Sequence, residues 1–280
     1  IKPRQIKRMF KSNNEFSNDL IIKKDIYNFK TNWKKIEKLK RCTKCILPET
    51  FPFIEFDKKG VCNYCNNYKK IQFKGKKSLI NDINLKLNPR LLVTLSGGRD
   101  SCYGLHYMKE VLGFNVVSYS YDWGLVTDLA RRNQARMCSK LGIEHILVSA
   151  DINRKRKNVK MNLSAWLEKP KIGLLPLIIA GDKQYFEYAN IISKEKNVSD
   201  IILCENMLET THFKTGYLGI KPNFKNNHTF SLNIFSIFQM MNNYFFEYLR
   251  NPKYLNPSLL DTLRAFLVYY FLPKKLYKYV

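Results

Sequence analysis

The sequence contains little acidic charge and no long apolar run. Its 280 residues include 23 Asp and Glu against 48 Lys and Arg, which gives a formal net charge of +25. No stretch reaches the roughly 18 uninterrupted apolar residues that a membrane-spanning helix needs. The polar, basic N-terminus also lacks the apolar core of a signal peptide. We therefore predict a cytoplasmic protein without a membrane span.

Several familiar site patterns are missing as well. The glycine-rich loop that begins at Ser96 has neither the Lys of a Walker loop nor the Gly-x-Gly-x-x-Gly of a dinucleotide fold. The seven cysteines are odd in number and are not spaced as a disulfide framework, which indicates a reducing compartment. Four histidines show no ligand spacing and receive no role: His106, His145, His212 and His228.

One segment has the order of elements that a phosphate-binding loop requires. The apolar run Leu91–Leu95, typical of a strand buried on both faces, precedes Ser96-Gly-Gly-Arg-Asp-Ser101 and then a helical pattern. Gly97 and Gly98 lack Cβ atoms where the chain must turn close to a ligand. Free N–H groups at the helix start attract anions, and Asp100 adds a carboxylate for Mg²⁺. The alternative is an ordinary tight turn.

Four of the cysteines form two Cys-x-x-Cys pairs. Cys42 and Cys45 are separated by sixteen residues from Cys62 and Cys65, which is a four-cysteine zinc-ribbon spacing. The segment is too small to fold on its own apolar core, so a metal would supply much of its folding energy. We predict structural Zn²⁺ here, with an iron–sulfur cluster and free thiols as alternatives.

Strand and helix patterns alternate after the loop. Strands are predicted at 91–95, 115–121, 145–149 and 200–204, and helices at 101–112, 127–141 and 174–198. This order predicts an α/β fold with a parallel sheet and flanking helices. Ligands of such sheets bind at the carboxyl ends of the strands. One crevice would then gather Ser96–Ser101, Asp122–Gly124 and Cys204–Glu209.

The composition suggests four parts. These are a basic extension at 1–40 with a helical stripe over Asp25–Lys40, the cysteine module at 41–75, the nucleotide domain at 76–225, and a helical segment at 226–280. The last part contains two apolar helical patterns, His228–Leu249 and Leu259–Leu272. We expect further chain or a partner to cover its apolar surface.

The motifs together resemble known enzymes. The loop Ser96–Ser101 resembles the signature of the PP-loop ATP pyrophosphatases, which implies an adenine nucleotide alpha hydrolase-like fold. The preceding cysteine module, with Tyr121-Asp-Trp-Gly124, Cys204-Glu-Asn206 and Asn251–Thr262, resembles the N-acetyl sugar amidotransferases of lipopolysaccharide and nonulosonic-acid synthesis. The similarity covers roughly residues 41–275. Cys204 stands where that family's pattern has glycine. Because family members usually continue past residue 280, part of the substrate site is expected to lie beyond it.

That resemblance implies conversion of a sugar acetamido group into an acetamidino group. ATP would adenylate the amide oxygen with release of pyrophosphate, and ammonia would then displace AMP. The resemblance also implies a nucleotide-linked N-acetyl sugar as substrate, and a separate glutaminase subunit with a synthase-like partner as the source of ammonia. This chain shows no glutaminase triad of its own.

The same resemblance assigns roles by position. The phosphates would be held by backbone N–H groups and hydroxyls of Ser96, Gly97, Gly98 and Ser101. Asp100, as the Mg²⁺ ligand, and Ser101 are the predicted catalytic residues. The adenine or ribose would be bordered by Asp122, Trp123 and Gly124. The substrate would meet Glu205, Asn206 and Glu209, for which the alternative is a helix start with a solvated acidic face.

Other functions remain open at this point. A PP-loop tRNA sulfur-transferase would also combine cysteine pairs, the loop and a basic surface, but Cys102, Cys138 and Cys204 form no further Cys-x-x-Cys. A catalytically silent zinc-ribbon scaffold is a second alternative. The net charge fits tRNA, fits a nucleotide-sugar and fits a simple compositional bias toward Lys.

Overall fold

The chain divides into two compact units, with the boundary between Cys65 and Asn66. The computed structural model describes residues 33–70, 72–84, 89–175, 184–205, 213–225, 232–271 and 277–279. No helix within those ranges is long and apolar enough to cross a membrane. The predicted Asp25–Lys40 helix is described only from residue 33 onward, where a helix covers Trp33–Glu37.

The described part of the first unit consists of turns with two short helices. These are α1 (Trp33–Glu37) and α2 (Asn63–Asn66), and isolated bridges join Arg41 to Pro48 and Phe56 to Cys62. The turn between the two cysteine pairs closes on Asp57, whose carboxylate accepts the N–H groups of Lys59 and Val61 at 2.8 and 3.0 Å. Residues 33–65 contain little apolar packing, as the sequence predicts for a module built around a metal.

The second unit is a five-stranded parallel sheet with helices. Its strands are β1 (Arg90–Thr94), β2 (Asn115–Asp122), β3 (His145–Ser149), β4 (Asp200–Leu203) and β5 (Tyr277–Tyr279). Its helices are α3 (Gly75–Asn84), α4 (Arg99–His106), α5 (Asp128–Leu141), α6 (Ile152–Glu168), α7 (Gln184–Glu195), α8 (Ile234–Arg250) and α9 (Ser258–Phe271). A π-helical turn, Tyr107–Val111, extends α4, and short 3₁₀ helices occupy Ile172–Leu174, Phe213–Leu218 and Pro252–Tyr254. The strand order is β3-β2-β1-β4-β5, and all pairs are parallel. The predicted α/β class is confirmed.

The central strand explains why both faces of the sheet are covered. Side chains alternate along a strand, so Leu91 and Val93 of β1 join one apolar cluster with Leu105 and Met108 from the α4 segment. Leu92 points to the other face, in a cluster that includes Ala189 and Ile192 of α7. A continuous apolar strand is what this two-sided burial requires.

Helix boundaries follow local capping chemistry. Thr127 accepts the Ala130 N–H at 3.2 Å at the start of α5, and Asp151 accepts the Arg154 N–H at 3.0 Å at the start of α6. Gly142 ends α5 in the left-handed conformation, with φ of 60°. Such caps satisfy N–H and carbonyl groups that a helix end leaves open.

The Asn251–Thr262 stretch attaches the C-terminal helices to α6. Asn251 donates to the Ala165 carbonyl oxygen at 2.8 Å, and Asn256 donates to Asn162 at 2.8 Å. Asn158 Nδ2 donates to Asp261 at 3.1 Å. Each of these side chains is hydrogen-bonded between the stretch and α6, so the stretch serves packing. Strand β5, which follows, was not predicted from the sequence.

Candidate nucleotide site and metal centre

The candidate nucleotide loop lies where the strand order reverses. From β1 the sheet extends to β2 on one side and to β4 on the other, and ligands of open parallel sheets bind in the crevice at this switch point. Ser96 follows β1 directly, and Cys204 and Glu205 follow β4. The predicted gathering of the segments that follow β1, β2 and β4 at one edge therefore agrees with the topology.

Ser101 fixes the shape of the loop from inside. Its buried hydroxyl donates to the Gly98 carbonyl oxygen at 3.1 Å and accepts the Ser96 N–H at 3.2 Å. The Ser96 hydroxyl oxygen lies 2.9 Å from the Ser101 hydroxyl oxygen and accepts the Gly98 N–H at 3.3 Å. Both hydroxyls are thus engaged in hydrogen bonds within the turn.

Helix α5 supports the loop from behind. Gly97 has φ of +81°, and a Cβ built on it would lie 2.3 Å from the Ala130 carbonyl oxygen. Asn133 Nδ2 donates to the Gly97 carbonyl oxygen at 3.0 Å, and Gln134 Nε2 donates to that of Leu95 at 3.2 Å. Sequence reasoning missed these residues, although three- and four-residue spacing puts Ala130, Asn133 and Gln134 on one helix face.

The N-terminus of α4 is open to a ligand. Its N-cap, Gly98, has extended backbone and provides no side chain to satisfy the first-turn N–H groups. These N–H groups and the helix dipole favour an anion. The Asp100 side chain is about half exposed beside them, with Arg99 Nε 3.5 Å from its carboxylate. One carboxylate together with substrate phosphates is a donor set that fits Mg²⁺.

Asp122 holds its own loop. Its buried carboxylate accepts from Arg131 Nη2 at 2.7 Å and from the Gly124 N–H at 2.8 Å. The Gly124 carbonyl oxygen accepts from Arg156 Nε at 3.2 Å, and Trp123 is half-buried. Of the three residues predicted to border adenine, Asp122 therefore positions the backbone, while the exposed end of Arg156 adds positive charge nearby.

The end of β4 carries the predicted substrate residues. Glu205 is exposed, whereas Asn206 and Glu209 lie outside the described residues. Cys204 is buried, and its Sγ occupies the space beside Gly104 of α4, where an added Cβ would lie 2.3 Å from the sulfur. The position at which the resembled family has glycine is therefore a packing contact here.

The three cysteines outside the cysteine module pack in the same apolar cluster. Cys138 and Cys204 belong to that cluster, and Cys102 packs against it. Burial raises the pKa of all three thiols, and that of Cys204 rises to about 12 with further contributions from Glu205 and Cys102. These thiols stay protonated near neutral pH, which disfavours a thiolate nucleophile.

The four cysteines of the first unit meet at one point. Cys42 Sγ lies 3.9 Å from Cys65 Sγ, Cys45 Sγ lies 3.6 Å from Cys62 Sγ, and all four sulfurs lie within 4.8 Å of one another. A tetrahedral zinc with Zn–S bonds of about 2.3 Å separates its sulfurs by about 3.8 Å. Among the described residues this is the single group of three or more Cys, His, Asp or Glu side chains that lie close enough together to hold a metal.

Backbone N–H groups prepare these sulfurs for a cation. Cys42 Sγ accepts from Lys44, Cys45 and Cys62 at 3.4, 3.5 and 3.2 Å. Desolvation by burial acts to raise the pKa of Cys42, but these hydrogen bonds outweigh it and lower the pKa to about 6. Burial raises the pKa of Cys62 and Cys65. A bound cation would stabilise all four thiolates, so the set fits a closed structural zinc site.

Metal removal provides the first test. We expect one zinc ion per chain, its loss in a Cys42→Ser variant, and rapid trypsin cleavage at Lys58 and Lys59 once metal is lost. Cys102→Ser, which alters a half-buried thiol outside the group, should keep zinc and resistance. Metal analysis of the full chain measures the zinc content, and timed trypsin digestion measures the resistance. Equal zinc in the two variants, or the visible absorption of an iron–sulfur cluster, would contradict the assignment.

Comparison with known proteins gives only distant fold-level matches. No protein-family profile matches the sequence, and no curated protein matches it. An NH3-dependent NAD synthetase from Campylobacter jejuni is 14% identical, with 70% of this chain and 94% of that chain covered and a TM-score of 0.34. A U34-tRNA thiolase from Methanococcus maripaludis with its [4Fe-4S] cluster is 14% identical, with 83% and 89% covered and a TM-score of 0.32.

A third solved structure is matched over a shorter part. It is a predicted subunit of tRNA methyltransferase from Methanocaldococcus jannaschii, 16% identical, with a TM-score of 0.29. The match covers 56% of this chain and 64% of that subunit, which is less than two thirds of its length. All three TM-scores are low, so function is inferred from the loop, the helix N-terminus and the four-sulfur group.

Proposed function

We propose that the chain is an ATP-dependent amidotransferase that converts the N-acetyl group of a nucleotide-linked sugar into an acetamidino group, for surface-polysaccharide synthesis. The observation that carries its ATP-dependent half is the uncapped N-terminus of α4 beside the braced Ser96–Ser101 loop at the switch point. Open N–H groups, a positive dipole and one carboxylate suit a polyphosphate with its metal. The sugar half rests on the family resemblance of the motifs.

The first chemical step would be adenylation. The amide oxygen of the acetamido group attacks the α-phosphorus of ATP, and a new O–P bond forms. The bond between the α-phosphorus and the bridging oxygen breaks, and pyrophosphate leaves with the electron pair. N–H groups at the start of α4 would stabilise charge on the phosphates, which is the electrostatic role that preorganised donors play. Asp100 would hold the Mg²⁺ that neutralises the leaving group.

The second step would replace oxygen by nitrogen. An amide carbon is a poor electrophile, and adenylation makes it a good one by turning its oxygen into a leaving group. Ammonia adds to the imidate carbon, a proton is released, and the C–O bond breaks as AMP departs with that oxygen. The product differs from the substrate by NH in place of O. We propose a glutaminase subunit with a synthase-like partner as the ammonia source.

The charge near the crevice suits an anionic carrier. Arg99 lies in the Ser96–Ser101 loop, and its side chain is 95% exposed. Arg156 lies beside Gly124. A guanidinium near a nucleotide site favours phosphate groups of a second ligand, because Arg recognises phosphate by bidentate hydrogen bonds. A nucleotide-sugar would supply those phosphates.

A tRNA sulfur-transferase is the second candidate. The basic composition favours it, and the protonated state of Cys102, Cys138 and Cys204 disfavours it. Sulfur carriage as a persulfide needs an accessible thiolate. Cys138 and Cys204 are 5% and 8% exposed, so neither is suited to that role.

Pyrophosphate release separates the candidates. Zinc-loaded protein would be incubated with ATP, Mg²⁺, ammonium, and either UDP- and CMP-linked N-acetyl sugars or bulk tRNA. We expect release that depends on one of the sugars, and loss of that release in Asp100→Asn. Release with tRNA alone would instead favour sulfur transfer. If pyrophosphate is released with neither the sugars nor tRNA, even after the glutaminase partner is added, the amidotransferase proposal is contradicted.

A further inference from the structure

Helix α8 has two apolar faces, and among the described residues only one of them packs into an apolar cluster. Met240, Tyr244 and Tyr248 join a cluster with Ala165 and Leu174. The opposite face carries five large apolar side chains, which we call the α8 stripe: Phe235, Phe238, Phe245, Phe246 and Leu249, exposed by 80, 60, 57, 49 and 57%. Soluble proteins rarely expose a contiguous apolar patch of this size unless something binds it.

Four of the five stripe residues are placed symmetrically about an amide. Asn242 is exposed at its centre. Phe238 lies four residues before it and Phe246 four after, while Phe235 lies seven before and Leu249 seven after. Steps of four and seven residues keep side chains on one helix face. Phe245 has no apolar counterpart, because the position that mirrors it is the exposed Gln239.

We propose that the α8 stripe joins two copies of this chain as an antiparallel helix pair with Asn242 on the two-fold axis. Such an isologous contact requires a surface complementary to itself, and the symmetric spacing supplies this. Phe238 would pack against Phe246 of the second copy, and Phe235 against Leu249 of the second copy. A different protein as partner would place no such demand on the order of residues along the stripe.

The available area matches what a dimer needs. An aromatic side chain can bury about 150–250 Å², so the exposed fractions of the four phenylalanines give roughly 500 Å² per copy. Two copies together would therefore bury roughly 1,000 Å² from these residues alone, which is about the lower bound of a specific interface. Leu249 and the neighbouring Ile234, 54% exposed, add to this.

Asn242 would set the register. A side-chain amide carries both donors and an acceptor, so two copies of Asn242 facing each other on the axis can exchange two hydrogen bonds. A buried amide in an apolar helix seam lowers affinity but specifies alignment. Slipping the pair by one turn would leave both amides against phenylalanine.

Electrostatics gives the dimer a distinctive salt dependence. From Ile234 to Phe246 helix α8 contains no charged residue, while each whole chain carries a net charge of +25. Two such chains repel each other through solvent, and added salt screens the repulsion without weakening apolar contacts. Association should therefore strengthen with ionic strength, whereas binding of an acidic partner would weaken.

Mass measurement tests the interface without reference to ATP chemistry, so its outcome is independent of the proposed function. By light scattering during gel filtration, we expect wild type to have a mass of twice 33.1 kDa, with a dimer fraction that grows at higher salt. We expect Phe238→Glu to be a monomer. The matched control is Phe73→Glu, which adds the same charge at a site 70% exposed outside the stripe and should stay dimeric. A monomeric wild type, or a dimeric Phe238→Glu, would overturn the proposal.

Cross-linking tests the antiparallel geometry. Mild oxidation of zinc-loaded Asn242→Cys should link two chains, because residue 242 meets itself on the axis. Phe235→Cys should not link, since seven residues at a rise of 1.5 Å place each copy of residue 235 about 21 Å from its mate. Wild type under the same oxidation provides the background from native thiols. Equal cross-linking of both variants would indicate a parallel pair and overturn the two-fold arrangement.

Discussion

Replacing Gly97 by alanine is expected to lower ATP-dependent pyrophosphate release by roughly 100-fold or more, because small misplacements in a catalytic site carry losses of that size. The backbone of Gly97 has φ of +81°, and the new Cβ would lie 2.3 Å from the Ala130 carbonyl oxygen. That oxygen belongs to helix backbone, so the loop must move instead. Its movement would break the Asn133 contact and shift the N–H groups at the start of α4. Initial-rate assays at saturating ATP measure the effect.

Gly113→Ala is the matched control for backbone strain. Gly113 has φ of +71°, but nothing lies within 4 Å of its built Cβ. Alanine there should lower the free energy of unfolding by about 1–2 kcal/mol through the left-handed conformation alone, with turnover unchanged. If Gly97→Ala and Gly113→Ala had the same modest effect on rate, the loop would not be the phosphate site.

The second large effect concerns stability rather than catalysis. Gly104→Ala is expected to lower the free energy of unfolding by about 1–3 kcal/mol, the range for overpacking a core. The added methyl group would meet Cys204 Sγ at 2.3 Å and Cys204 Cβ at 2.7 Å. Alanine is intrinsically better than glycine within a helix, so any destabilisation must come from this contact. Urea unfolding of the full chain measures it.

Partner variants show whether Cys204 is the cause. In the Gly104→Ala background, Cys204→Ala should restore little stability because the Cβ of residue 204 remains. Cys204→Gly should restore more, because the nearest remaining atom of residue 204 is then its Cα, 3.8 Å from the added methyl group. The double-mutant cycle with Cys204→Gly should give a coupling free energy of about 1–3 kcal/mol. Additive effects would mean that the two positions are not in contact. The cycle thus tests whether Cys204 fills space that glycine leaves free at α4.

Local sequence patterns were sufficient to predict the fold class. The continuous apolar run of β1 and the helix pattern over 127–141 each depend on a few neighbouring residues, and the structure has a strand at Arg90–Thr94 and a helix at Asp128–Leu141 there. The strand order could not be read in this way. It depends on pairings such as the hydrogen bond from Thr94 Oγ1 to the Ile202 carbonyl oxygen, which joins residues remote in sequence.

The candidate site also contains residues that local sequence predicts and residues that only tertiary contacts reveal. The loop and the four cysteines are contiguous motifs with characteristic spacing, so the sequence predicts both. Asn133, Gln134 and Arg131 act from a different helix, and nothing in their local sequence marks them as supports of a phosphate loop. Asp122 was expected beside the adenine or ribose, but its carboxylate is engaged by Arg131 and the Gly124 N–H. Side-chain partners of this kind are decided by tertiary packing.

The fate of the acetamido oxygen tests the central proposal most directly. A nucleotide-linked N-acetyl sugar labelled with ¹⁸O in the acetyl carbonyl would be turned over with ATP and ammonium, and the AMP analysed by mass spectrometry. Adenylation of the amide oxygen predicts that the label moves into the AMP phosphate while the sugar gains nitrogen. AMP without label, with the acetyl group unchanged, would mean that ATP is cleaved by another route and would contradict the amidotransferase mechanism.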